Sequence, residues 1–202
     1  QSVLLLSKNQ AESVSRFEVE SVFMDVFECT KTEFLLGFRD FVMDADKLSL
    51  LNRYVRELSL NKPLGYVLGK VAFLDDVFVV SEGVLIPRPE TEELVHLVTE
   101  TVKDMTNFVF VECGFGSGCI ALSLGKRFPG SEVFAWDVSE DAYGVALKNR
   151  ELLGLSNVTF YLGDFFEGFD KFLKAFGNDK QMVLVSNPPY IRTSYLNDLM
   201  PD

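Results

Sequence analysis

Apolar side chains along the N-terminal part of the chain recur every three or four positions, the period of a helix with one buried face. Phe17, Val19, Val22, Phe23, Val26 and Phe27 form one such stripe, with Glu18, Glu20 and Asp25 between them. Thr30 followed by Glu33 has the form of a capping box and predicts a short second helix through Leu35 and Leu36, ending near Gly37. Leu48, Leu51, Tyr54, Val55 and Leu58 make another stripe, with Lys47, Arg53, Arg56 and Glu57 turned outward. Asn61-Lys62-Pro63 stops it, because the residue before a proline is pushed out of the helical region.

From Gly65 to Ile86 the pattern changes to short β-prone runs at Tyr66-Val67-Leu68, 77–80 and 84–86. They are broken by Gly69, Asp75-Asp76 and Glu82-Gly83, which predicts a hairpin. Pro87-Arg88-Pro89 forces an extended segment, and Glu90-Thr91-Glu92-Glu93 opens a helix with acids in its first turn, where they suit the dipole. Strand and helix then alternate. Strands are predicted at 108–111, 133–136, 158–162 and 182–185, and helices at 120–128, at 140–153 (ending near Gly154) and at 165–176. Such alternation implies an α/β fold with a parallel sheet covered on both faces.

Composition narrows the function. The 202 residues are 48% hydrophobic and 13% aromatic, with 19 Phe, enough apolar surface for a packed core. No window approaches ~18 consecutive apolar residues, so no membrane span is expected. The net charge of −11 repels nucleic-acid phosphates and favours a basic partner or a cationic cofactor. Cys29, Cys113 and Cys119 lack metal-type spacing and point to a reducing, cytoplasmic setting. A single histidine, His96, argues against a metal site and against a Ser-His-Asp triad.

Two motifs carry chemistry. Glu112-Cys113-Gly114-Phe115-Gly116-Ser117-Gly118 lies between a predicted strand and helix, where glycines let the backbone turn sharply and approach a ligand closely. Asp137 follows at the end of the next strand, a spacing at which an acid reaches ribose hydroxyls, although a helix N-cap is equally natural there. No GK[ST] follows the glycines. Glu112 would repel a pyrophosphate but suits the cationic methionine end of S-adenosylmethionine, so the signs favour that cofactor over a dinucleotide. Asp164 and Phe165, after the third strand, sit where an acid and a ring meet an adenine, with an N-cap and a core aromatic as the alternative reading.

The other motif, Asn187-Pro188-Pro189-Tyr190, follows the fourth strand of the alternating region, at the carboxyl end where open α/β sheets bind ligands. An amide nitrogen is a poor nucleophile because its lone pair is delocalised. The Asn187 side-chain oxygen and the Pro188 carbonyl can accept its two N–H bonds, orient it and stabilise the positive charge that develops. The two prolines stiffen the loop, and Tyr190 offers a flat face to a planar group.

With these residues in view, the chain resembles the release factor glutamine N5-methyltransferase family from about Phe17 onward. The most specific stretches are Lys62-Pro63-Leu64-Gly65-Tyr66-Val67-Leu68-Gly69, Leu85-Ile86-Pro87-Arg88-Pro89-Glu90-Thr91-Glu92, the glycine loop and Asn187 to Tyr190. The resemblance implies a helical substrate-recognition domain over 1–62, a β-hairpin linker over 63–88 and a Rossmann-like class I methyltransferase domain over 89–202. It also implies that Glu112, Gly114, Phe115, Gly116, Ser117, Gly118, Asp137, Asp164, Phe165 and Asn187 contact S-adenosylmethionine, or S-adenosylhomocysteine as product. Arg88, Pro89, Thr91 and Asn187 to Tyr190 would hold the acceptor, the glutamine of a Gly-Gly-Gln motif in a peptide-chain release factor, with Asn187, Pro188 and Tyr190 catalytic. A monomer without membrane or direct nucleic-acid contacts is expected.

The chain departs from the family's pattern at three points. Glu112 stands for the usual aspartate. Phe115 replaces a small polar residue and fits if its side chain points away from the cofactor. The chain runs from Gln1 to Asp202, only twelve residues past Tyr190, where a seven-stranded sheet would need three more strands. An apolar edge is therefore expected at the fourth strand, with low stability and weak activity for the chain alone. Three alternatives remain open: methylation of a ribosomal-protein glutamine, adenine N6-methylation of nucleic acid by a similar loop, and a non-catalytic release-factor-binding relative.

Overall fold

The computed structural model describes residues 14–37, 42–176 and 180–188. The chain divides into two compact units, residues 1–71 and 72–202. In the first, helices α1 (Arg16–Val26), α2 (Lys31–Gly37), α3 (Ala45–Ser59) and α4 (Leu64–Leu68) follow one another. The Thr30 box forms as expected: Glu33 N donates to Thr30 Oγ1 at 3.2 Å, and Thr30 N donates back to Glu33 Oε2 at 2.8 Å. Ser15 and Glu18 make the same reciprocal pair ahead of α1. Val22, Val26, Leu51, Tyr54, Val55, Leu58 and Val67 are the buried core of this unit.

Two expectations are corrected here. Phe17 and Val19 of the first stripe are exposed, at 68% and 40%, so the stripe buries only its later members. Tyr66-Val67-Leu68 lies in a helix and not in a strand. Proline pre-sets the helical φ at the entry, Pro63, and Gly69 closes the turn in the left-handed region at φ 69°. Burial of Val67 at helical spacing from Leu64 then outweighs the β-propensity of the run.

The hairpin is β1 (Lys70–Phe73) with β2 (Asp76–Val79). The 84–86 run, expected as a further strand, stays irregular. Val84 N turns back to Ser81 O, and the prolines at 87 and 89 lack the N–H donors a ladder needs.

The second unit continues with α5 (Pro89–Val102), β3 (Phe108–Cys113), α6 (Cys119–Arg127), β4 (Val133–Asp137), α7 (Glu140–Leu153), β5 (Val158–Leu162), α8 (Phe165–Phe176) and β6 (Gln181–Ser186). The four strands β3–β6 form one sheet in the order β5-β4-β3-β6, every pair parallel. This is the expected α/β, Rossmann-like arrangement. Phe134 and Trp136 meet α8 through Phe172 on one face. The opposite face carries Ala135 and Phe160, and Gly118 at the start of α6 approaches Phe160, Leu122 and Ala146.

Two consequences position the site. The chain steps outward from β3 to β5 and then returns to the other side of β3, so the order reverses between β3 and β6. The carboxyl ends there are level, with Cys113 opposite Ser186 and opposite Trp136. Ser186 Oγ donates to Cys113 O at 2.7 Å and ties the two strand ends together. Among the described residues β6 pairs only with β3, and its Met182 and Leu184 are 39% and 60% exposed.

Candidate functional site

The loop from Gly114 to Gly118 leaves β3 at this reversal point. Its three glycines take φ of 76°, 52° and 80°, values that side chains strain to reach. Gly114 N donates to Trp136 O at 2.8 Å, and Gly116 N donates to Asp137 Oδ2 at 2.9 Å. The other Asp137 oxygen accepts from Ser139 N at 3.0 Å, while Ser139 itself caps α7. Both Asp137 oxygens therefore brace the backbone around the glycine loop, each with lone-pair capacity for a further donor.

Phe115 points into the core. It is 2% exposed, with its ring centroid 4.7 Å from that of Phe160. Ser117 is buried, and its carbonyl accepts from Asn149 Nδ2 at 2.9 Å. A Cβ on Gly114 would meet nothing within 4 Å, so this part of the loop faces open space.

Glu112 lies beneath the loop at 1% exposure, and neither of its carboxylate oxygens has a hydrogen-bond partner among the described residues. Burial pushes its carboxyl up to about 8; the nearby Ala121 amide partly opposes this and the charge of Asp137 adds to it. An orphaned buried acid is costly unless a cation or a proton accompanies it.

The stability consequence has a definite sign. Between the ordinary value of 4.5 and about 8 the folded state keeps a proton that the unfolded chain has lost. Glu112 therefore removes stability progressively as pH rises through that window, by up to a few kcal/mol, on the order of 1.4 kcal/mol per pKa unit. Glu112→Gln should lose this dependence. Denaturant titrations of both forms at pH 5 and pH 8 check it: the variant gains on the wild type at the higher pH, and an unchanged difference contradicts the assignment.

Asn187 and Pro188 follow β6, beside the glycine loop. Asn187 Nδ2 donates to Thr91 Oγ1 at 3.0 Å, which fixes which way the carboxamide is turned. Thr91 is 5% exposed in the first turn of α5, held by its backbone N–H, which donates to Arg88 O at 2.9 Å. The sequence reading placed Thr91 on the acceptor; here its hydroxyl meets Asn187. Arg88 and Pro89 are exposed at the helix start. Pro189 and Tyr190 lie outside the described residues.

Asp164 and Phe165 follow β5 beside Asp137, whose carbonyl accepts from Gly163 N at 2.8 Å. Asp164 Oδ1 accepts from Glu167 N at 3.0 Å, capping α8, and the Phe165 ring packs against Trp136 and Phe169. A hollow of about 550 Å³ beside them is lined by Trp136, Tyr161, Asp164 and Lys171, among others. Two contributors were missed in the sequence, Ser186 and Asn149. Asn149 had a readable signal, a polar residue continuing the apolar stripe of a helix.

Among the described residues no helix is long and apolar enough to cross a membrane, and no group of three or more His, Cys, Asp or Glu is placed to hold a metal. No family model matches the chain. Three curated relatives, each named release factor glutamine methyltransferase, are similar to it. That of Bacteroides thetaiotaomicron is 39% identical over 76% of this chain and 52% of its own length. That of Flavobacterium psychrophilum is 37% identical over 87% of this chain and 61% of its own length. That of Fusobacterium nucleatum is 31% identical over 100% of this chain and 55% of its own length. The chain thus spans a little over half the length of these relatives. Over the stretch that it spans, the chain is similar to the release factor glutamine methyltransferases.

Proposed function

We propose that this protein transfers a methyl group from S-adenosylmethionine to the side-chain amide nitrogen of the glutamine in the Gly-Gly-Gln motif of a peptide-chain release factor. The observation that carries this reading is the Asn187–Thr91 hydrogen bond, at a strand end beside the glycine loop.

The residues present suit the cofactor. Glu112 is a buried acid with no side-chain partner among the described residues, the kind of group a cation would satisfy. The backbone at Gly114 borders open space. Asp137 can accept a ribose hydroxyl while it still holds Gly116. When bound, the cofactor supplies an electrophilic methyl carbon on a positively charged sulfur. Asp164 and Phe165, already engaged in capping and packing, form the outer margin of this site.

The remaining work falls to the chain's own groups. With Nδ2 committed to Thr91, the Asn187 carboxamide is turned so that Oδ1 is its accepting end toward an incoming amide. The Pro188 carbonyl gives the second acceptor. Together they align the acceptor nitrogen and stabilise its growing positive charge without reorganising, which is where electrostatic catalysis gains most. Arg88 and Pro89 border the acceptor's approach. The helical first unit holds the body of the release factor. The net charge of −11 opposes the nucleic-acid alternative.

Thr91→Val tests the arrangement. It keeps the shape and removes the hydroxyl that fixes Asn187. Turnover should fall about tenfold, the worth of one well-placed hydrogen bond, with affinity for S-adenosylhomocysteine unchanged, and Thr91→Ser should restore it. Full activity of the valine variant would rule out this positioning.

A further inference from the structure

Helix α7 buries Ala142, Val145 and Ala146, and Asn149 continues the same stripe at 1% exposure. Asparagine is a weak helix former, and an interior amide is tolerated only when its polar atoms are matched. Here they are. Oδ1 accepts from Val79 N at 2.7 Å, and Nδ2 donates to Val79 O at 3.0 Å and to Ser117 O at 2.9 Å. Val79 is the last residue of hairpin strand β2, and Ser117 sits between two glycines of the loop.

We propose that Asn149 is a positioning residue for methyl transfer, setting the cofactor loop at Ser117 against the hairpin that leads to the acceptor-holding turn at Thr91. The proposal rests on the methyltransferase reading and deepens it. A loop with three left-handed glycines has few side chains to fix it. Its anchors are the amide bonds of Gly114 and Gly116, the buried Phe115 ring, and the Ser117 carbonyl held by Asn149. The first three tie the loop to the sheet and its core. The Asn149 carboxamide ties it to the hairpin as well. From Val79 the chain runs through the irregular 80–88 segment, whose Val84 lies nearest to Gly116, into Thr91 and so to Asn187.

Asn149→Asp is the informative change. It keeps size and the acceptor for Val79 N, removes both donations, and sets a carboxylate oxygen against two carbonyl oxygens. Val145→Ala, on the same buried face, loses packing and none of these hydrogen bonds. Calorimetry with S-adenosylhomocysteine, at a temperature where both variants are folded, should give binding weaker by about tenfold or more for Asn149→Asp. For Val145→Ala it should stay within about twofold, however much its melting temperature falls. Equal affinities for the aspartate variant and the wild type would overturn the proposal.

Amide hydrogen exchange on the wild type provides a second reading that needs no variant to fold. Adding S-adenosylhomocysteine should slow exchange at Val79 in the hairpin together with exchange in the glycine loop. Protection confined to the loop would also overturn the positioning role. Absence of any binding by the folded wild type would remove the methyltransferase reading itself, and the positioning role with it.

Discussion

Asn187→Ala is expected to lower turnover by about 10²–10³-fold, the loss typical of removing one preorganised hydrogen-bonding group from a developing charge. The acceptor amide is resonance-stabilised, so its nitrogen attacks only if its hydrogens are drawn off axis and the new positive charge is met as it forms. In the proposed reaction Asn187 does this, with its orientation fixed from behind by Thr91 Oγ1, 3.0 Å from Nδ2. Alanine removes the acceptor and leaves the strand ends joined, since Ser186 Oγ still bonds to Cys113 O. The effect should fall on turnover, with little change in affinity for S-adenosylhomocysteine. Single-turnover rates and equilibrium binding separate the two. A rate within threefold of wild type removes Asn187 from the reaction, and a matching loss of affinity would assign it to cofactor binding.

Gly118→Ala should be strongly destabilising. Its backbone sits at φ 80°, where a side chain costs about 1–2 kcal/mol. The new Cβ would lie 2.9 Å from Phe160 Cζ, 3.1 Å from Leu122 Cδ1 and 3.2 Å from Ala146 Cβ. The Phe160 ring cannot yield freely because Phe115 packs on it, so overpacking adds about 1–3 kcal/mol. A total of about 2–5 kcal/mol is a large share of a domain's stability and should lower the melting temperature by roughly 5–15 °C. Gly114→Ala is the contrast: its φ of 76° carries the strain, but its Cβ meets open space. It should melt closer to wild type and lose cofactor affinity instead. Thermal unfolding of the pair checks this, and equal melting temperatures would contradict the packing at Gly118.

Much of this was legible in the sequence because the second unit is locally consistent. Strands β3, β4 and β5 are short apolar runs closed by glycine or by an acid, and several helices are framed by a cap or a glycine. Ser139 and Gly154 around α7 are examples. From β3 onward the expected helices and strands match those found to within a residue or two. The misreading at Leu64–Leu68 arose because Tyr-Val-Leu is β-prone in isolation, while the Pro63 start and Gly69 stop around it encode a helical turn. Phe17 was misplaced because periodicity gives a face and not its partner.

The candidate site was legible where chemistry fixes residue type. The glycines, Asp137 and Asn187 were read from spacing, and the fold gathers them at the carboxyl ends of β3, β4 and β6. The direction of the Phe115 side chain was not readable, since nothing in the sequence says that Phe160 lies beneath it. Thr91 holding Asn187, and Asn149 holding both Val79 and Ser117, depend on pairs far apart along the chain. The polar position in an apolar stripe marks Asn149, but its partners, like that of Thr91, are set by tertiary packing.

The central claim is that the glycine loop and Asn187 belong to one site that methylates a glutamine amide. Its most direct test is to incubate the protein with methyl-labelled S-adenosylmethionine and offer a release factor and DNA side by side, locating label by mass spectrometry of the digested products. Label on the glutamine of the Gly-Gly-Gln peptide, absent from DNA and lost with Asn187→Ala, is the predicted result. Label on adenine, or cofactor bound with no label on either acceptor, would contradict it.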